Sequence, residues 1–234
     1  STYFGPNANR PVIRGQDGDR IRVLSNAGAS VDASGLSYDH AVPIDPLVVE
    51  RIEVLRGPAA LLYGGGAVGG VVNAIDNRIP RGAVTRPTGS AELRGGGASG
   101  ERGAAALVEA GGSGIALHAD AFARRTDELR VPWYERPADG GGSERRNRVV
   151  NSASRAEGGA LGGSMVWDHG YLGAALDSYR NRYGVVAEDD VTIRMRRDKL
   201  ALAGEVRHLG GPLRTLRARL QHTDYQHEEV EGTG

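Results

Sequence analysis

Most of the chain alternates apolar and polar residues weakly, in stretches of about ten, and a period of two marks strands rather than helices. From about Ser90 the candidate strands are 90–98, 102–110, 114–125, 156–167, 171–181, 194–208 and 213–226. On 114–125, Ile115, Leu117, Ala119, Ala121 and Ala123 share one face. His118, Asp120 and Arg124 occupy the other, with Phe122 the exception. On 213–226, Leu216, Ala218 and Leu220 oppose Arg217, Arg219, Gln221 and Thr223. The gaps alternate in length: 111–113, 168–170 and 209–212 are short, whereas 126–155 and 182–193 are long. Only 99–101 is tight where the rhythm wants a long loop. An up-and-down antiparallel barrel, with tight turns on one rim and long loops on the other, has this rhythm. A soluble sandwich alternates too, and the pattern leaves both open. Strand length combined with a polar inner face favours the membrane barrel, because ~9–11 tilted residues span a bilayer.

The first 80 residues read differently. Short apolar pieces, RPVIRG at 10–15, DRIRVL at 19–24 and LVVERIEVLRG at 47–57, are separated by turn residues. Pro58 is placed to start a short helical turn over Ala59 to Tyr63. Glycines 64, 65, 66, 69 and 70 then lead into the strand-like Val71, Val72 and Asn73. The pattern predicts a mixed α+β unit over 1–80, followed by antiparallel strands over 81–234.

Composition narrows the function. Lys+Arg and Asp+Glu are both 29, so the formal charge is zero, which argues against nucleic acid as the main partner. Cysteine is absent, which removes disulfides and thiolate metal sites. No apolar run approaches the ~18 residues of a transmembrane helix. Glycine, at 36 residues, is about twice as frequent as usual, without a collagen period. The chain opens at Ser1 with no signal segment and closes at Gly234 after an acidic stretch, so both ends are expected to be cuts in a longer protein.

The run VERIEVLRGPAALLYGGGAVGGVVN, residues 49–73, closely resembles the plug signature of TonB-dependent outer-membrane receptors. RPVIRG at 10–15 and the segment after Asp19 resemble the same plug. The resemblance implies a plug inside a transmembrane outer-membrane β-barrel of about 22 strands, of which this chain holds only the first. It implies residence in the outer membrane of a Gram-negative bacterium, contact with its lipid, and an energising TonB-type partner from the inner membrane. Within the family, Asp39-His40, followed by Ala41 and further on Asp45, resembles the zinc-receptor (ZnuD-type) branch, as does TDYQHEE at 223–229. Zinc is therefore the expected cargo. The resemblance implies Asp39, His40 and Glu229 as metal ligands, with His227 and Glu228 as auxiliaries and a further histidine from a later strand. The branch's His-rich external insertion is not matched, because VVAEDDVTIRM at 185–195 has no histidine. The alternative cargo is a ferric siderophore or haem.

Residue chemistry adds little beyond this. An imidazole beside a carboxylate suits zinc. The acidic trio Glu188, Asp189 and Asp190 could concentrate cations at an external mouth. Gly64, Gly66 and Gly69 satisfy G-x-G-x-x-G, but a Pro-initiated turn precedes them and a strand follows, the reverse of a dinucleotide site. They are read as close backbone approach and positive φ in a packed plug. His118 and Asp120 are expected to face the plug. There is no G-x-S-x-G and no H-E-x-x-H, and the chain is not expected to be an enzyme. The rival from another class is a secreted Gly-rich β adhesin or binding module.

Overall fold

A computed structural model describes residues 5–35, 37, 40–138 and 140–232. The N-terminal sheet has four strands, β1 (Ile21–Ser25), β2 (Gly28–Ala29), β3 (Arg51–Leu55) and β4 (Gly70–Ile75), in the order β2-β1-β4-β3. β1 and β4 run parallel; the other pairs are antiparallel. The helical part of this unit consists of 3-10 turns, including one at Pro58–Tyr63 where a Pro-initiated turn is predicted. Leu24, Ala60, Ala67 and Val71 form its core. The glycine run lets the chain pass close to its neighbours. A Cβ on Gly69 would meet Gln16 Cβ at 2.7 Å, and Gly70 takes φ +143° against the Leu55 carbonyl.

The second body is a wall of long antiparallel strands. These are β5 (Thr88–Gly96), β6 (Glu101–Gly112) and β7 (Ile115–Thr126). After a separate hairpin, β8 (Arg130–Pro137) and β9 (Ser143–Arg148), come β10 (Ser154–Trp167), β11 (Gly170–Gly184), β12 (Thr192–Arg207) and β13 (Thr215–Val230). The sheet order β13-β12-β11-β10-β7-β6-β5 joins β7 directly to β10. The hairpin forms a two-stranded sheet of its own at the long-loop rim. This is a mixed plug followed by antiparallel strands of an incomplete outer-membrane barrel.

Alternation along each wall strand sets its faces. On β7, Ala116, His118, Asp120 and Phe122 are buried, and Ile115, Leu117, Ala121 and Ala123 are exposed. Leu161, Leu176 and Leu200 stand side by side on β10, β11 and β12, the first two 69% and 62% exposed. Apolar side chains facing outward and polar ones inward reverse the arrangement of a soluble sheet and suit a lipid-facing wall. The inner face receives the plug. Ala41, Phe122, Tyr179, Tyr183, Ile193 and Met195 share one buried cluster, packed against Leu47 and Val48 of the plug.

Three features depart from the sequence reading. The segment 126–155, read as one loop, contains the β8–β9 hairpin. Several strands run past their predicted ends, β11 to Gly184 and β13 to Val230, so 227–229 lie within a strand rather than beyond it. The 99–101 gap is a turn over 97–100, closed by the Gly100 N–H on the Gly97 carbonyl.

Candidate metal centre

The plug segment from His40 to Val48 is bound to the wall at several points. The Ala41 N–H donates to the Tyr183 hydroxyl at 2.8 Å, and Arg197 donates to the Pro43 carbonyl at 2.7 Å. Asp45, fully buried, caps the short turn at Pro46–Val48 by accepting from the Leu47 N–H at 3.0 Å. Its other oxygen lies 3.3 Å from Arg124 of β7. The Val42 N–H donates to Asn9 at 2.7 Å. The backbone around His40 is thus held from β7, β11 and β12 at once.

This brings His40 against β13. His227 and Glu229 are two residues apart, so both point inward, opposite Met195 and Ile193. His40 Nε2 lies 3.5 Å from Glu229 Oε1, and the His40 and His227 rings meet edge to face with centroids 4.9 Å apart. One donor atom from each of His40, His227 and Glu229 lies within 4.8 Å of the others. His40 is 5% exposed, whereas the Glu229 side chain is 51% exposed, so the cluster is closed on the plug side and open outward. Two imidazoles and a carboxylate suit zinc and its borderline-soft neighbours. Three ligands leave one position of a tetrahedron for water or an incoming group.

The other predicted residues are placed differently. Glu228 points to the outer face, opposite Arg194 in register. Asp39 lies outside the described residues. Asp189 pairs with Arg136 of the hairpin. His169 and His208 stack edge to face at the tight-turn rim, 5.4 Å between centroids.

His118 and Asp120 face the plug as expected, within a buried charge network whose other members the sequence did not single out. Arg78, in the segment joining plug to wall, donates to both oxygens of Asp120 at 2.8 and 3.0 Å and lies 3.5 Å from Asp177. Asp177 also accepts from Arg197 at 2.6 Å and lies 3.1 Å from Lys199. His118 bridges Glu109 and Asp120, 3.0 Å from each. Burial works against the charge of Arg78, but the hydrogen bond to Asp120 and the fields of Asp177 and Asp76 hold its pKa above the ordinary arginine value. Such a set is stable only when every member is paired. The available signal was a charge recurring on the inward parity of β7, β11 and β12, which a water-filled barrel carries as well.

Residues 1–71 match the family model described as TonB-dependent Receptor Plug Domain. A hemin receptor of Yersinia pestis is 69% identical over 29 residues, which cover 12% of this chain and 4% of that protein. The ferric enterobactin receptor PirA of Pseudomonas aeruginosa is 69% identical over 35 residues, covering 15% of this chain and 5% of that protein. Among solved structures, the copper transporter OprC superposes with a TM-score of 0.74 at 18% identity, over 94% of this chain and 31% of its own. The chain thus spans about a third of that transporter. Residues 1–71 thus match a TonB-dependent receptor plug, set against part of a wall of the kind that outer-membrane receptors build.

Proposed function

We propose that this chain forms the plug and leading wall strands of an outer-membrane importer of a divalent metal, with zinc as the cargo held by His40, His227 and Glu229. The observation that carries this reading is the meeting of three metal-competent side chains from residues 40 and 227–229, within 4.8 Å, at the long-loop rim. Nothing in packing alone calls for two histidines and a carboxylate to share one inward-facing spot.

In this reading, cargo enters from outside through the open flank at Glu229 and is captured against the plug by His40. Asp39, beside His40 in sequence, is a candidate fourth ligand. Release inward needs the plug to move, which a TonB-type partner would drive. Metal binding requires neutral imidazoles, so protons compete for the site.

A second reading, an iron complex such as a ferric siderophore or haem, is favoured by the names of the hemin and ferric enterobactin receptors that share a short stretch with this chain. Such a complex satisfies its own metal and does not need protein ligands. Zinc titration of the intact receptor, repeated with His40→Ala, His227→Ala and Glu229→Gln, separates the two. Each variant should weaken zinc by at least the ~10–100-fold that loss of an outer-shell partner costs. Equal zinc affinity in all three removes the metal reading; tight binding of a ferric complex by the same variants establishes the other.

A further inference from the structure

Four of the six histidines stand in pairs, and the second pair lies far from the cluster at His40. His169 belongs to the two-residue turn between β10 and β11, and His208 directly follows the last residue of β12. Their rings meet edge to face, with 75° between planes and 5.4 Å between centroids. Ile193, the register partner of Glu229, is fourteen residues from Arg207 along β12. At ~3.3 Å per residue the two pairs are ~46 Å apart along the strand, at opposite rims.

Both rings are exposed, and among the described residues neither enters a hydrogen bond or an ion pair. What brings them together is backbone. The pairing of Trp167 with Gly170 closes the first turn, and the Arg207 N–H donates to the His169 carbonyl at 2.6 Å. His208 then takes φ +60°, a left-handed conformation that Asn, Asp and His enter more readily than other side chains. The two imidazoles are thus mounted on neighbouring turns before any ion arrives.

Their spacing is that of a chelate. An imidazole nitrogen lies ~1.2 Å from its ring centroid and binds zinc at ~2.0–2.1 Å, so the ion stands ~3.2 Å from each centroid. At a tetrahedral angle, two rings sharing one ion have centroids ~5.2 Å apart. The observed 5.4 Å meets this without backbone movement, and rotation about side-chain bonds aims the nitrogens. Imidazole suits zinc, copper and nickel, whereas magnesium and calcium prefer oxygen. Among the described residues no third histidine or carboxylate completes the set. Glu205, three residues before His208, is held by Arg207 at 3.5 Å and Arg217 at 2.7 Å. An ion on the two histidines therefore keeps at least two open positions.

We propose that His169 and His208 form a metal site of their own at the tight-turn rim, taking a divalent ion of the zinc, copper or nickel class on two imidazole nitrogens. Its open positions accept water or a small chelator, so the ion is held loosely and exchanges readily. The site is independent of the cargo reading and stands whether or not His40, His227 and Glu229 hold metal.

The test compares the intact receptor, purified in detergent and stripped of metal, with the variant His169→Ala/His208→Asn. Both positions are exposed, and asparagine tolerates the left-handed backbone at 208, so the fold is left intact. Copper(II) is the probe, because it heads the affinity order for such ligands. The wild type should bind one equivalent more than the variant, and the difference in their electron paramagnetic resonance spectra should show two imidazole nitrogens. His169→Ala alone should weaken that equivalent by at least the ~10-fold that loss of an outer-shell partner costs. Copper at the His40 cluster is common to both proteins and cancels in the difference, so failure of the cargo reading leaves this result unchanged. Equal stoichiometry in wild type and double variant overturns the proposal. So does an extra equivalent with fewer than two imidazole nitrogens, or one that His169→Ala leaves at full affinity.

Discussion

Arg78 grips both oxygens of the Asp120 carboxylate, at 2.8 and 3.0 Å, and so ties the end of the plug to the seventh strand of the chain. Asp177 approaches the same guanidinium from β11. Removing the arginine leaves the buried Asp120 with only His118 beside it, and the buried Asp177 with Lys199 and Arg197. Arg78→Ala is expected to destabilise the seated plug by about 3–5 kcal/mol, the usual cost of breaking a buried pair from one side. Denaturant unfolding of the intact receptor measures it, and an unchanged midpoint would show that the network contributes nothing net.

A second prediction concerns Gly162 on β10. A Cβ at this position would run into the Arg78 carbonyl, so the wall has a groove there for the plug's exit segment. Gly162→Val should therefore cost about 1–3 kcal/mol by overpacking. Gly112→Val, where nothing lies within 4 Å, should be close to neutral in the same assay. Equal effects at the two positions would mean that the exit segment shifts freely.

The lipid face makes a third. Leu176 lies mid-band between Leu161 and Leu200. Leu176→Arg should cost ~2–4 kcal/mol of membrane stability. Urea titration in lipid vesicles gives the value. A negligible cost would place Leu176 away from hydrocarbon.

Sidedness makes a fourth. Gly141 lies in the turn of the β8–β9 hairpin and Gly211 in the turn between β12 and β13. With each replaced by cysteine, intact cells should label the first with an impermeant maleimide and leave the second unlabelled. Labelling of Gly211→Cys alone would invert the orientation.

The wall was legible in the sequence wherever one face touched lipid, because there the period of two is enforced by solvent. Leu216, Ala218 and Leu220 alternate with Arg217 and Arg219, and the structure gives them opposite faces. Where a strand rises beyond the membrane both faces become polar and the pattern fades. For that reason Arg182 to Gly184 and His227 to Val230 extend past the predicted ends. The hairpin fails for the same cause: SERRNR carries no apolar position at all. At the candidate site, the two-residue spacing of His227 and Glu229 already implied a shared face, provided that the strand was taken through to Val230. Asp45 carried only the resemblance to a zinc branch, and the structure gives it a cap at Leu47 and an ion pair with Arg124. The meeting of Arg78 with Asp120 and Asp177 depends on how the plug's exit segment crosses the wall, and no local pattern encodes a crossing.

The cluster at His40 is divided between two bodies, one side chain on the plug and two on β13. An ion held by all three is a fastener as well as a passenger. By reciprocity, any free energy gained on binding across that seam is also added to the work needed to pull the seam apart. Loading should thus stiffen the plug against extraction, and a pull on the plug should loosen the ion before the plug leaves its seat. Force and occupancy become two readings of one coupling, which a stretched single receptor would report as a rupture load that rises with metal concentration.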